Sequence, residues 1–229
     1  MHPVLMLTRN NLELTKRAVE SIYQQRIKSS AWIIDNGSKD GTVEWAEEAG
    51  ILLDCSPFNT GVSVGWNHGL NKLFGDHGYE HVLVVGNDTV LPEYLYAALL
   101  SYDVPFVTGV AVDQMPSSEV PERMPLTENP DFSCFLIRSS AWAKIGPFNE
   151  RFMHYCGDTD MHVRAHRLGI PLYKANVPYL HFRSSTLNNA SPQDRAVIQA
   201  QAEADRGQFR AMYGCVPGDA EYEKLFEEG

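Results

Sequence analysis

No stretch of this chain stays apolar for the roughly 18 residues that a membrane-spanning helix needs. The opening Met1 to Asn11 holds a short apolar run, without a basic leader region or a small-residue cleavage site. It reads as a strand rather than a signal peptide, and the chain as cytoplasmic. Cysteine is scarce: Cys55, Cys134, Cys156 and Cys215 are far apart, with no Cys-x-x-Cys. That argues against a disulfide framework or a zinc site and for reduced, buried thiols. Basic residues are outnumbered, 19 Lys and Arg against 29 Asp and Glu, for a net charge of −10. Such a balance counts against broad phosphate neutralisation on nucleic acid, though it permits a local basic groove. Glycine is missing from the loop Thr8-Arg9-Asn10-Asn11 after the first strand. A sugar nucleotidyltransferase would need a Gly-rich, basic loop there to hold a triphosphate. There is no internal repeat and no low-complexity tract.

What is present suits one α/β domain. A chain of 229 residues buries roughly 70–75% of its unfolded surface without staples. The acidic tail (Glu221, Glu223, Glu227, Glu228) reads as a solvated face. Through the first half, strands alternate with helices, which implies a parallel sheet with right-handed crossovers. Strands are expected at Val4–Leu7, Trp32–Ile34, Ile51–Leu53 and His81–Val85. Asn10 or Asn11 can cap a helix whose face carries Leu12, Val19, Ile22 and Tyr23. Another helix, Thr42 to Ala49, stops at Gly50, and a third presents Trp66, Leu70, Leu73 and Phe74.

The second half changes character. Pro92 opens a helix to about Leu100, and strands are expected over Val104–Val112 and Phe132–Ile137. Between them, residues 113–130 hold four prolines and four acidic residues, the composition of a mobile surface loop. Ser139 or Ser140 caps a short helix ending at Gly146, and Asp158 to Leu168 is a helix stopped by Gly169-Ile170-Pro171. Strands follow at Leu172-Tyr173 and Val177–Leu180. A long helix then runs from an N-cap at Ser191 to about Tyr213, with Ile198, Ala202, Phe209 and Tyr213 free to pack on this domain or on a partner.

Three acidic positions sit at strand-to-helix junctions: Asp35 after the second strand, Asp88 after the fourth, and Asp158 opening a helix in His154-Tyr155-Cys156-Gly157-Asp158-Thr159-Asp160. Singly, each has a plain structural role as a turn former or helix cap. Together, on one sheet, they would face one crevice outside the carboxyl ends of the strands. Asp160 has Arg164 four residues on, a natural ion pair, which leaves Asp158 free. At a helix N-terminus, Asp158 is expected to have a lowered pKa.

The chain resembles glycosyltransferase family 2, with its GT-A fold, over roughly residues 3–185. Six segments carry the likeness in the family's order: VLMLTRNN, IIDNGSKDGTVEW, FNTGVSVGWNHGL, VLVVGNDTVL, GPFNERFMHYCGDTDMHVRAHRLGI and LHFRSST. The resemblance implies a Rossmann-like, mostly parallel central sheet flanked by helices. It implies a GT-A domain over 1–185, divided into a nucleotide-sugar half (1–90) and an acceptor and catalytic half (91–185). A C-terminal helical extension, 186–229, would pack on that domain.

Its implied activity is an inverting, metal-dependent transfer, of hexosyltransferase type, from a nucleotide sugar, UDP foremost, to an acceptor hydroxyl. Thr8, Arg9, Asn10, Asp35, Asn59, Gly65, Asn67 and Asn87 would bind the nucleotide, with Gly61 and Gly65 allowing close backbone approach. Asp88 and His181 would hold Mn²⁺ or Mg²⁺, a donor set suited to a hard cation. Asp158 would be the general base. His181 also has a reading as an ordinary surface histidine at a strand end, and Trp66 as either core packing or a stacking platform.

Two departures from the family pattern stand out. Gly86 leaves Asp88 as the one carboxylate of the metal motif, and Gly157 replaces the commoner Glu before Asp158. A non-catalytic nucleotide-sugar binder and a nucleotidyltransferase are the competing functions. The acceptor is open among a glycan, a protein, a small molecule and a modified nucleobase, with acidity weighing against DNA.

Overall fold

In the computed structural model the described residues are 1–115, 119–183 and 192–227. Eight strands form one mixed sheet in the order β3-β2-β1-β4-β7-β6-β8-β5. They are β1 (His2–Thr8), β2 (Ser29–Asn36), β3 (Leu52–Ser56), β4 (His81–Gly86), β5 (Thr89–Val90), β6 (Phe106–Val112), β7 (Cys134–Arg138) and β8 (Tyr173–His181). The helices are α1 (Leu12–Tyr23), α2 (Thr42–Glu48), α3 (Val62–Asn71), α4 (Leu95–Leu100), α5 (Ser139–Ile145), α6 (Gly157–Arg167) and α7 (Pro192–Tyr213).

Strands β3, β2, β1 and β4 are mutually parallel, whereas β7 runs antiparallel to both β4 and β6. Strand β8 returns parallel to β6. These pairings bring the carboxyl ends of β1, β2, β4 and β8 and the start of β7 to one edge of the sheet. Chemistry collects at that edge, as expected of an open α/β sheet.

Both sheet faces are covered, so the inner strands are apolar on both sides. Alternate residues of β1 feed separate cores: Val4 and Met6 pack with Ile33, Leu83, Leu136 and Tyr96, while Leu5 packs with Val84, Phe135, Trp142 and Phe148. A third cluster joins Phe152, Cys156 and Val163 to Phe209 of α7.

Several local expectations are corrected. Neither Asn10 nor Asn11 caps α1 with its side chain; both have positive φ, and Asp40 accepts the Leu12 N–H at 2.9 Å instead. Tyr23 is 54% exposed and lies off the buried face of α1. Pro92 precedes a turn, and α4 begins at Leu95. Ser139 and Ser140 lie inside α5, whose N-cap position is Arg138, without a side-chain cap. The two expected strands Leu172-Tyr173 and Val177–Leu180 are one, Tyr173–His181, whose pairing with β6 shifts register between Lys174 and Pro178. The Ser191 cap, Ser184 to Thr186, residues 116–118 of the Pro-rich loop, and the 185/186 boundary lie outside the described residues.

Candidate active site

At the carboxyl edge of the sheet is a cavity of about 530 Å³. Its lining includes Leu7 near the end of β1 and Arg9 just after it, Asn87 and Asp88 after β4, Asp131 to Ser133 before β7, Asp158 on α6, and His181 at the end of β8. Asn36, Asn59, Val62, Trp66, His154, Tyr155 and Ile198 complete the wall.

Asp88 and His181 meet as expected. Strand β5 pairs with β8 so that Thr89 faces His181, and the Phe182 N–H donates to the Asp88 carbonyl at 2.9 Å. His181 Nε2 lies 3.4 Å from Asp88 Oδ1. A Cβ on Gly86 would sit 2.8 Å from that same Oδ1, so the glycine makes the room in which the carboxylate lies. One carboxylate and one imidazole at this spacing fit Mn²⁺ or Mg²⁺ with phosphate and water as the remaining ligands. Among the described residues no cluster of three or more His, Cys, Asp or Glu side chains is placed to hold a metal alone.

Asp158 lies in the first turn of α6, after a cap position taken by Cys156 at φ 65°. Its Oδ1 accepts the Thr159 N–H at 2.8 Å. The expected depression of its pKa is not what the surroundings produce. Burial raises it, and the Asp131 carboxylate adds to the rise against the lowering by Thr159. Asp160, two residues on, is fully buried; it accepts from Arg164 at 2.8 Å and from the Tyr213 hydroxyl at 2.8 Å. Asp160 is thus the structural acid and Asp158 the one on the cavity.

The expected nucleotide residues divide. Arg9, Asn59 and Asn87 line the cavity, and Arg9 Nε is buried without a hydrogen-bond partner. Asn87 is fixed by donating to Thr8, Thr15 and the Asn10 carbonyl. The others lie behind the wall. Thr8 is 1% exposed and bonded to Thr15 at 3.1 Å. Asn10 accepts the Lys39 N–H at 2.8 Å. Asp35, also 1% exposed, accepts from the Gly37 and Ser38 N–H groups and the Ser38 hydroxyl, a turn that consumes its carboxylate.

Asn67 bridges to Phe148 and Glu150. Gly65 serves helix–sheet packing, since a Cβ there would lie 2.3 Å from Leu7 Cδ1. Gly61 faces Met153, whose carbonyl a Cβ would meet at 2.7 Å. Trp66 packs on Phe135 and Phe148, the core reading, and its ring also lines the cavity.

Among the contributors that escaped the sequence reading are Asp131, His154, Ile198 and Asp205. Asp131 is held by the Ser133 N–H at 3.0 Å and by the Ser133 hydroxyl, which bonds Tyr179 at 2.6 Å. His154 approaches Asn59 at 3.4 Å, and burial lowers its pKa. Asp205, on α7 and 1% exposed, accepts three consecutive N–H groups, Met153 at 3.1 Å, His154 at 2.8 Å and Tyr155 at 2.9 Å. One signal was available: Asp205 interrupts the apolar stripe of Ile198, Ala202 and Phe209.

Solved structures define the class of fold. TarS of S. aureus aligns over 99% of this chain and 47% of its own, at 16% identity and TM-score 0.62. This chain therefore spans about half of TarS. The mannosyltransferase PcManGT of Pyrobaculum calidifontis, in complex with GDP-Man and Mn²⁺, aligns over 98% of this chain and 78% of its own, at 15% identity and TM-score 0.59. Glucosyl-3-phosphoglycerate synthase of Mycobacterium tuberculosis, with Mn²⁺, UDP and phosphoglyceric acid, covers 95% and 80%, at 14% identity and TM-score 0.63. The likeness is to GT-A architecture, the fold of nucleotide-sugar transferases. No curated protein matches the chain. The model of glycosyl transferase family 2 matches residues 4–162, and the chain belongs to that family.

Proposed function

We propose that the protein transfers a hexosyl group from a nucleoside-diphosphate sugar, UDP foremost, to an acceptor hydroxyl with inversion at the anomeric carbon. One observation carries the reading: a carboxylate–imidazole pair at Asp88 and His181, a half-buried carboxylate at Asp158 and an unpartnered arginine nitrogen at Arg9 share one cavity. Residues 1–90 supply most of the donor side, 91–185 the acceptor and catalytic side, and 186–229 an extension that closes the wall through Ile198.

Arg9 faces the diphosphate, where its unpaired Nε finds an anionic acceptor atom. Asn59 and Asn87 offer side chains already oriented by hydrogen bonds. Asp88 and His181 would hold Mn²⁺ or Mg²⁺, which when bound offsets the charge developing on the departing diphosphate. Asp158 accepts the proton of the acceptor hydroxyl as that oxygen forms its bond to the anomeric carbon and the bond to diphosphate breaks. Its raised pKa makes it a stronger base than an exposed carboxylate. Leu7, Val62 and Trp66 give the cavity apolar wall.

Release of nucleoside diphosphate from UDP-, GDP- and dTDP-sugars, with and without Mn²⁺, tests the reading. Mn²⁺-dependent release is expected from at least one donor, and calorimetry should show Asp88→Ala abolishing the metal-dependent part of nucleotide binding. A protein that binds nucleotide sugars without ever releasing diphosphate would be a binder on this scaffold and would refute transfer.

A further inference from the structure

The charge around Asp158 restricts the acceptor. Asp131, Phe132, Ser133, Tyr155 and Ile198 line the cavity with it, and none of them is cationic. Arg9 is the single Lys or Arg among the described lining residues, and it acts on His154 beside Asn59, on the nucleotide side. The segments outside the described residues add no positive charge, because 116–118 are Pro-Ser-Ser and 184–191 are Ser-Ser-Thr-Leu-Asn-Asn-Ala-Ser. A phosphate or carboxylate on the acceptor would therefore meet two carboxylates on this wall, while Arg9 and the Asp88–His181 pair serve the diphosphate across the cavity, and like charges brought together in an interface are strongly unfavourable. The same wall suits a sugar. Asp131 is oriented from behind by Ser133 and, through it, Tyr179, so it can accept a hydroxyl hydrogen bond at little ordering cost. Phe132, Tyr155 and Ile198 offer apolar surface to a pyranose C–H face.

We infer that the acceptor is an uncharged polyhydroxylated molecule, a sugar or glycoside, anchored through a hydroxyl by Asp131, and that phosphorylated or carboxylated acceptors are refused. The inference rests on the glycosyl-transfer reading, but binding tests it without turnover. Saturation-transfer NMR on the full chain with UDP and diamagnetic Mg²⁺ would compare methyl glycosides of glucose, galactose, mannose and N-acetylglucosamine with the 6-phosphates of the same glycosides. At least one methyl glycoside should bind, and its 6-phosphate about tenfold or more weakly, an order set by like-charge repulsion. Asp131→Asn should weaken the glycoside and narrow the gap between the two forms, whereas a merely structural role for Asp131 would weaken both alike. Equal or tighter binding of the 6-phosphates overturns the inference, as does failure of every methyl glycoside to bind. Glycoside binding of the expected pattern without diphosphate release from any donor would support it while counting against transfer alone.

Discussion

Replacing Asp205 by Ala removes the acceptor of three successive backbone N–H groups and of the Gln201 amide at 3.0 Å. The Asp205 side chain is 1% exposed and the bonds it accepts are part-buried, so the orphaned donors regain water only in part. A hydrogen bond to a charged group is worth about 1.5–3 kcal/mol, but bonds to one carboxylate do not add. Each donor left unsatisfied costs about 1–3 kcal/mol, and with non-additivity the group together costs roughly 3–5 kcal/mol. At roughly 2–4 °C per kcal/mol for a chain of this size, the melting temperature should fall by roughly 6 to 20 °C. Differential scanning calorimetry reads the fall, and nucleotide affinity should fall with it, because His154 and Tyr155 line the cavity from the segment Asp205 holds. Asp205→Asn keeps one carbonyl oxygen and should lose less. A melting temperature within about 1 °C of the parent for the Ala variant would show that those N–H groups are solvated and would refute the reasoning.

Asp158→Asn should slow transfer by about 10²–10⁴-fold, the usual contribution of a general base, in steady-state assays. The same substitution should leave the fold as stable at neutral pH or more so. A carboxyl whose pKa is raised on folding stabilises the protein below its unfolded value, and that contribution is lost as pH rises through the folded one. For activity the sign is opposite: the base is lost as pH falls, so the acid limb of the rate profile should lie above the ordinary carboxylate range near about 4. Gly65→Ala forces a methyl against Leu7, a cavity-lining side chain; it should cost about 1–3 kcal/mol in denaturant unfolding and weaken nucleotide binding by calorimetry.

Legibility in the sequence followed the range of the interactions. Strands β1 and β4 announced themselves because both faces of the sheet are covered and their apolar runs are unbroken. Asp88, Asp158 and the Asp160–Arg164 pair were readable from junction position and helical spacing. Asp35 sits behind the cavity wall because Asp-Asn-Gly-Ser also spells a turn that engages its carboxylate. The pKa of Asp158 was expected on the wrong side because the helix N-terminus is local, whereas burial and Asp131 arrive through the fold. Asp131 and His154 carry no periodic signal, and they join the site only when β7 and the 153–155 segment come to the sheet edge.

The shortest strand has the widest reach. Strand β5 contributes two residues, yet it fastens the end of β4 to the end of β8 across roughly ninety residues of chain, an entropically expensive closure. An ion shared by positions 88 and 181 would act as a second rivet beside that clasp. Cation affinity and the tightness of the outer margin then rise and fall together, so Mn²⁺ should slow amide exchange at Val90 and Leu180. A substitution on the far end of β8, remote from any ligand, would loosen the grip on the ion.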